Sequence, residues 1–142
     1  MENKAFTTPK LYDQLSLRMI PYNEVAALVK KKIDQYLPGS HNLLDLACGT
    51  GNLTLELARL GYQINGLDSS QEMLTTAIQK TADANLDINY FHQDMTEPYP
   101  VASLDAITCF YTAVNFLNSV EGRVIANHKC RNQSPFSLAA QP

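Results

Sequence analysis

An α/β fold with a mostly parallel, doubly wound sheet is what this chain predicts, and two observations predict it. Short apolar runs of strand type alternate with stripes of helical spacing. A glycine-containing turn, "ACGTGN" (47–52), follows the first of those runs and opens a helix. Alternating strands and helices pair in parallel through right-handed crossovers, giving a three-layer, Rossmann-like arrangement. A loop between a strand's C-terminal end and a helix is where such open sheets bind ligands.

Each element has its own local reason. Residues 24–37 place Val25, Leu28, Val29, Ile33, Tyr36 and Leu37 at helical spacing, and Pro38-Gly39 stops that helix. "NLLDLA" (42–47) is a short buried strand. Asn52 is placed to cap the next helix, with Leu53, Leu57 and Leu60 as its stripe and Gly61 at its end. "YQINGLD" (62–68) is the second strand. Ser69-x-x-Glu72 reads as a capping box for a third helix with Met73, Leu74, Ala77 and Ile78 inward. "LDINYFH" (86–92) is the third strand, "EPYP" (97–100) a proline-bounded loop, and "LDAITCFY" (104–111) the fourth strand. A short helical pattern follows around 112–119. From Glu121 onwards no apolar period of either kind is sustained. The expected division is 1–120 as one domain part and 121–142 as an irregular or disordered tail.

Bulk properties narrow the function classes. The 142 residues allow one domain at most. Hydrophobic residues make up 45% and charged residues 18%, with a net charge of −3. No basic surplus exists to neutralise a nucleic-acid backbone, so nucleic acid is not the expected partner. Lys30-Lys31-Lys32 fits a solvated helix face. The three cysteines, Cys48, Cys109 and Cys130, are scattered without CxxC spacing, which speaks against a zinc site and fits a reducing cytosol. The longest mostly apolar stretch, 106–117, is shorter than the roughly 20 residues that span a bilayer. No membrane partner and a cytoplasmic location are expected; nothing in the chain bears on oligomeric state.

Gly49 and Gly51 are expected to let backbone approach a ligand. A dinucleotide fingerprint would place a third glycine where Thr54 stands, and no Walker lysine follows. Asp68 ends the second strand, where a carboxylate can accept from both hydroxyls of a ribose. Asp94, after the third strand, can accept from an exocyclic amine, and the Met95 N–H can reach a ring nitrogen. Met73 and Phe110 could supply apolar surface. Asp45 could order the loop or help receive a cationic group. The ligand so drawn has adenine, ribose and a cationic amino-acid-like part, and no phosphate. Cys48 has no histidine placed by motif to activate it as a nucleophile.

"LLDLACGTGNLTLELARLGYQINGLDSSQEMLTTA", "FHQDM" and "LDAITCFYTAVNFL" closely resemble the class I S-adenosylmethionine-dependent methyltransferases of the bacterial small-molecule type. The resemblance covers about residues 10–120. It implies S-adenosyl-L-methionine as cofactor and methyl transfer to a small-molecule acceptor. Asp45, Gly49 and Gly51 resemble the motif that wraps the methionine part, Asp68 the acidic ribose ligand, Asp94 and Met95 the adenine-recognition pair, and Phe110 the position bordering cofactor and substrate. Ala47, Ser69 and Met73 are further expected cofactor-binding residues. "LYDQL" (11–15), with Tyr12, resembles a segment that packs over the cofactor. Tyr111 and Asn115 stand where acceptors approach in the family; no catalytic residue is named. The family sheet has seven strands and this chain supplies about four, so an unpaired edge at the fourth strand and a truncated domain are expected. The alternatives are a truncated S-adenosylmethionine-binding module without activity and, more weakly, an NAD-binding domain.

Overall fold

A computed structural model describes residues 8–110 and, as backbone, the segment 136–139. In chain order the elements are α1 (Pro9–Met19), α2 (Tyr22–Tyr36), β1 (Asn42–Leu46), α3 (Asn52–Arg59), β2 (Gln63–Asp68), α4 (Gln71–Asp83), β3 (Asn89–His92), β4 (Ala106–Cys109) and β5 (Phe136–Ala139). The sheet order is β3-β2-β1-β4-β5, with every pair parallel. The chain leaves β1 towards β2 and β3, then crosses back to β4. In open α/β sheets such a reversal is where ligands bind, outside the strands' C-terminal ends.

Register shows how the sheet is buried. Leu43, Ile64 and Ala106 are partners across β1, β2 and β4, and they face Ala26 and Ile33 of α2 and Leu53 and Leu57 of α3. The alternate residues Leu44, Leu46, Leu67, Ile107 and Cys109 face the other way, onto Met95, Tyr99 and Leu104 of the loop before β4. β1, "NLLDL", is buried from Leu43 to Leu46 on both faces, with Asp45 as the polar interruption of an otherwise apolar run. Among the described residues helices cover one face and this loop the other; the helical pattern around 112–119 lies outside the described residues.

The Rossmann-like parallel sheet is the expected fold, with β1 to β4 where the sequence places them, give or take two or three residues at the ends. Several details differ. β5 pairs in parallel with β4, matching Ala106 to Phe136. Over those four residues the tail is not irregular, and β4 has a neighbour where an open edge was expected. α1 was not foreseen: Thr8 caps it by accepting from the Leu11 N–H (3.4 Å), and Pro9 starts it. Gly51, in a left-handed conformation (φ 79°), and not Asn52, precedes α3 without a side-chain cap. Ser70, not Ser69, caps α4 by accepting from the Met73 N–H (3.3 Å). Leu28, Tyr36, Leu60 and Ile78, all expected inward, are exposed. They flank the buried stripes without reaching the sheet.

Candidate functional site

Three left-handed residues within five shape the loop after β1: Ala47 (φ 52°), Gly49 (φ 58°) and Gly51 (φ 79°). Such a conformation is uncommon for a side chain like that of Ala47. The loop is held from β2. The Cys48 N–H donates to the Leu67 carbonyl (3.1 Å), and the Gly49 N–H donates to Asp68 Oδ2 (2.8 Å). Asp68 Oδ1 accepts from the Ser70 N–H (2.8 Å), at the start of α4. One carboxylate thus fixes both the glycine loop and the next helix's N-terminus. An ionised carboxylate has about four acceptor positions, so two remain.

The tips of β1, β2 and β3 surround a hollow of about 40 Å³ lined by Ala47, Leu67, Asp68, Ser69, Gln93, Asp94 and Met95. Five of the expected site residues therefore meet at one place: Ala47, Asp68, Ser69, Asp94 and Met95. Asp94 is exposed, and its Oδ1 accepts from the Thr96 N–H (2.8 Å) and hydroxyl (2.6 Å). The Met95 side chain packs into the core beneath the hollow. Small-molecule pockets run roughly 300–1,000 Å³, so the described residues form a rim and not a closed pocket. A larger hollow, about 360 Å³, lies between α1, α3 and α4 and contains none of the expected residues.

The other expected residues lie elsewhere. Gly49 sits under Tyr12, whose ring atoms lie 3.8 Å from where a Cβ would be. Gly51 makes room for packing: a Cβ there would meet Tyr90 Oη at 2.8 Å and Ala77 Cβ at 3.2 Å. Met73, on the first turn of α4, is half-buried and does not line the hollow. Phe110 packs against the helix-side core. Tyr111 and Asn115 lie outside the described residues. Burial pushes the Cys48 thiol well above its ordinary pKa, which favours the protonated form.

Asp45 is enclosed at 2% exposure between sheet and α3, accepting from Thr54 Oγ1 (2.7 Å) and Thr108 Oγ1 (2.8 Å). Thr54 therefore stands in place of a third glycine to serve that carboxylate. Burial raises Asp45 to about 6, against the two hydroxyl bonds that favour its charge. The folded chain holds this proton more tightly than the unfolded chain. Its contribution to stability is full below about pH 4 and is lost as pH rises through about 6. The loss is on the order of 2–3 kcal/mol. Asp45→Asn should remove this part of the pH dependence, as urea unfolding at pH 4.5 and 7.5 would report.

A family model of a methyltransferase domain matches residues 43–130, from β1 past β4. The chain belongs to the methyltransferase domain family, of the class I S-adenosylmethionine-dependent type. A protein of Geobacillus sp. (strain WCH70) that carries a methyltransferase name without an acceptor is 37% identical over 107 residues. The alignment covers 75% of this chain and 43% of the relative. CalS10, an amino pentose methyltransferase from Micromonospora echinaspora solved with S-adenosylmethionine bound, superposes with a TM-score of 0.74 at 27% identity. That match covers 82% of this methyltransferase chain and 48% of CalS10. The chain spans about half the length, or less, of the relatives it matches. The 23S rRNA (uracil(1939)-C(5))-methyltransferase RlmD of Shewanella sediminis is 31% identical over 93 residues, 59% of this chain and 21% of RlmD. An RNA acceptor thus occurs within reach of this methyltransferase sequence, and net charge alone does not exclude nucleic acid. No helix among the described residues is long and apolar enough to cross a membrane.

Proposed function

We propose that this chain binds S-adenosyl-L-methionine at the tips of β1, β2 and β3 and serves methyl transfer to a small-molecule acceptor. One observation carries the reading: the residues lining the hollow include two carboxylates, Asp68 and Asp94, and no cation. Such a rim repels a pyrophosphate and suits a ligand that offers hydroxyl and amine donors. Asp68 keeps two acceptor positions for ribose hydroxyls while holding the loop. Asp94 and the Met95 backbone would receive the adenine edge, with Ser69 beside the ribose. Ala47 and Gly49 would border the methionine part below Tyr12, and Met73 and Phe110 the apolar side. Asp45 and Gly51 would act from behind, keeping the loop in shape.

The sulfonium of the cofactor activates its own methyl group. What remains for the protein is to hold the acceptor in line and to exclude water, and a base is needed only where the acceptor carries a proton. A small-molecule acceptor is favoured by the net charge of −3, which leaves no basic surplus for a phosphate backbone. CalS10, with its amino pentose acceptor, supports the same class.

Titration calorimetry on the full chain tests the ligand. S-adenosylhomocysteine is expected to bind and NAD is not. Binding of NAD in its place would overturn the reading.

A further inference from the structure

We propose that Asp13 is a positioning residue that pins α1 across the glycine loop and thereby sets how long the loop's ligand stays bound. The proposal rests on the reading of the strand-tip hollow as an S-adenosylmethionine site. Its starting point is how little apolar contact holds α1. Ser16 is its one buried residue, while Leu11, Leu15, Leu17 and Met19 all face solvent. Apolar burial cannot be what docks this helix.

Polar contacts dock it, and they converge on one side chain. Asp13 Oδ1 accepts from Thr50 Oγ1 (2.6 Å) and Asn52 Nδ2 (2.9 Å), at the end of the glycine loop. Asp13 Oδ2 accepts from Lys80 Nζ of α4 (3.0 Å). Lys80 closes the ring by donating to Asn52 Oδ1 and, more weakly, to Thr50 Oγ1 (3.5 Å). Asn52 also donates to Ser16 Oγ (3.4 Å). This network occupies the Asn52 side chain at the first position of α3. Both partners of the ion pair are mostly shielded, at 18% exposure for Asp13 and 26% for Lys80. A shielded, charge-assisted ring of this kind outweighs an ordinary surface pair.

The pin has a consequence at the site. Tyr12 precedes Asp13, and its ring lies over Gly49. The N–H of Gly49 is the one that Asp68 holds. Docking of α1 therefore continues through Tyr12 and Gly49 to the carboxylate placed at the ribose. Undocking would lift Tyr12 from the loop and open a way out.

The test uses the full chain, S-adenosylhomocysteine and trypsin, which can cut α1 after Lys10 and Arg18. In the unmodified chain the ligand should slow both cuts. In Asp13→Asn, dissociation should quicken by about tenfold or more, the loss of one charge-assisted bond. Association should change little, and the ligand should no longer slow cleavage. Lys80→Met attacks the same ring from α4 and should behave alike, so it stands in if Asp13→Asn does not fold. A merely structural role would lower the melting temperature and leave dissociation alone, and that result would overturn the proposal. Cleavage of the unmodified chain that the ligand does not slow would overturn it too. An unmodified chain that binds no S-adenosylhomocysteine would defeat the site reading and this proposal together, whereas the other failures leave binding intact.

Discussion

Asp68→Ala is expected to weaken S-adenosylhomocysteine binding by about a hundredfold or more, and to loosen the unliganded chain as well. The second effect separates this geometry from a simple ligand contact. The carboxylate accepts from the Gly49 and Ser70 N–H groups, so its removal strands two donors and frees the loop that shapes the hollow. Each hydrogen bond to a charged group is worth about 1.5–3 kcal/mol. Asp68→Asn should rescue little, because its amide NH2 would confront one of those two donors. Calorimetry measures the affinity and thermal unfolding the loosening. Unchanged affinity would remove Asp68 from the site; lost affinity with unchanged unfolding would mean that its backbone contacts carry little weight.

Gly66→Ala should produce the largest loss of stability from a single added methyl group. Gly66 lies in β2, paired with Tyr90 of β3. A Cβ there would stand 2.6 Å from Tyr90 Cδ1 and 2.8 Å from Cys48 Sγ. The ring has little room to yield, since Tyr90 Oη is bonded to Thr81 Oγ1 (2.9 Å) and closes against Gly51. Overpacking costs about 1–3 kcal/mol, and the upper end is expected for a clash with a fixed ring. Tyr90→Ala should be destabilising alone but should cost much less in the Gly66→Ala background. A double-mutant cycle by chemical denaturation reads that coupling. Simple additivity would show that the two positions do not meet as described.

The parts legible in the sequence are those with local causes. Stripes, stops and turn residues located α2 to α4 and β1 to β4, because helical spacing and the breaks at Pro38-Gly39 and Gly61 act within a few residues. Asp68 and Asp94 were legible because strand ends are marked by the change from apolar to polar. What escaped depends on distant partners. Nothing within α1 announces it beyond Thr8-Pro9, and its polar partners Thr50, Asn52 and Lys80 lie 37, 39 and 67 positions from Asp13. β5 is four residues long and exists by pairing with β4. The caps at Gly51 and Ser70 fall one residue from the expected Asn52 and Ser69, and the Asn52 side chain donates to Asp13. Parity along β1 could have placed Asp45: Leu44 and Leu46 share one face, so residue 45 must point to the other, towards α3. The need for glycine at 51 and 66 could not be read locally, since both make room for one ring on β3.

The carboxylate of Asp45 joins three elements: its own β1, Thr54 of the α3 that follows, and Thr108 of β4, which is 63 positions away. Neither Thr54 nor Thr108 can swing away while the sheet stays closed without stranding a buried acceptor. The middle of the sheet and its first crossover helix therefore breathe as one cooperative block. Partial opening has to begin at the periphery, with α1 foremost, and the rim can reshape around a guest while the floor below it stays rigid.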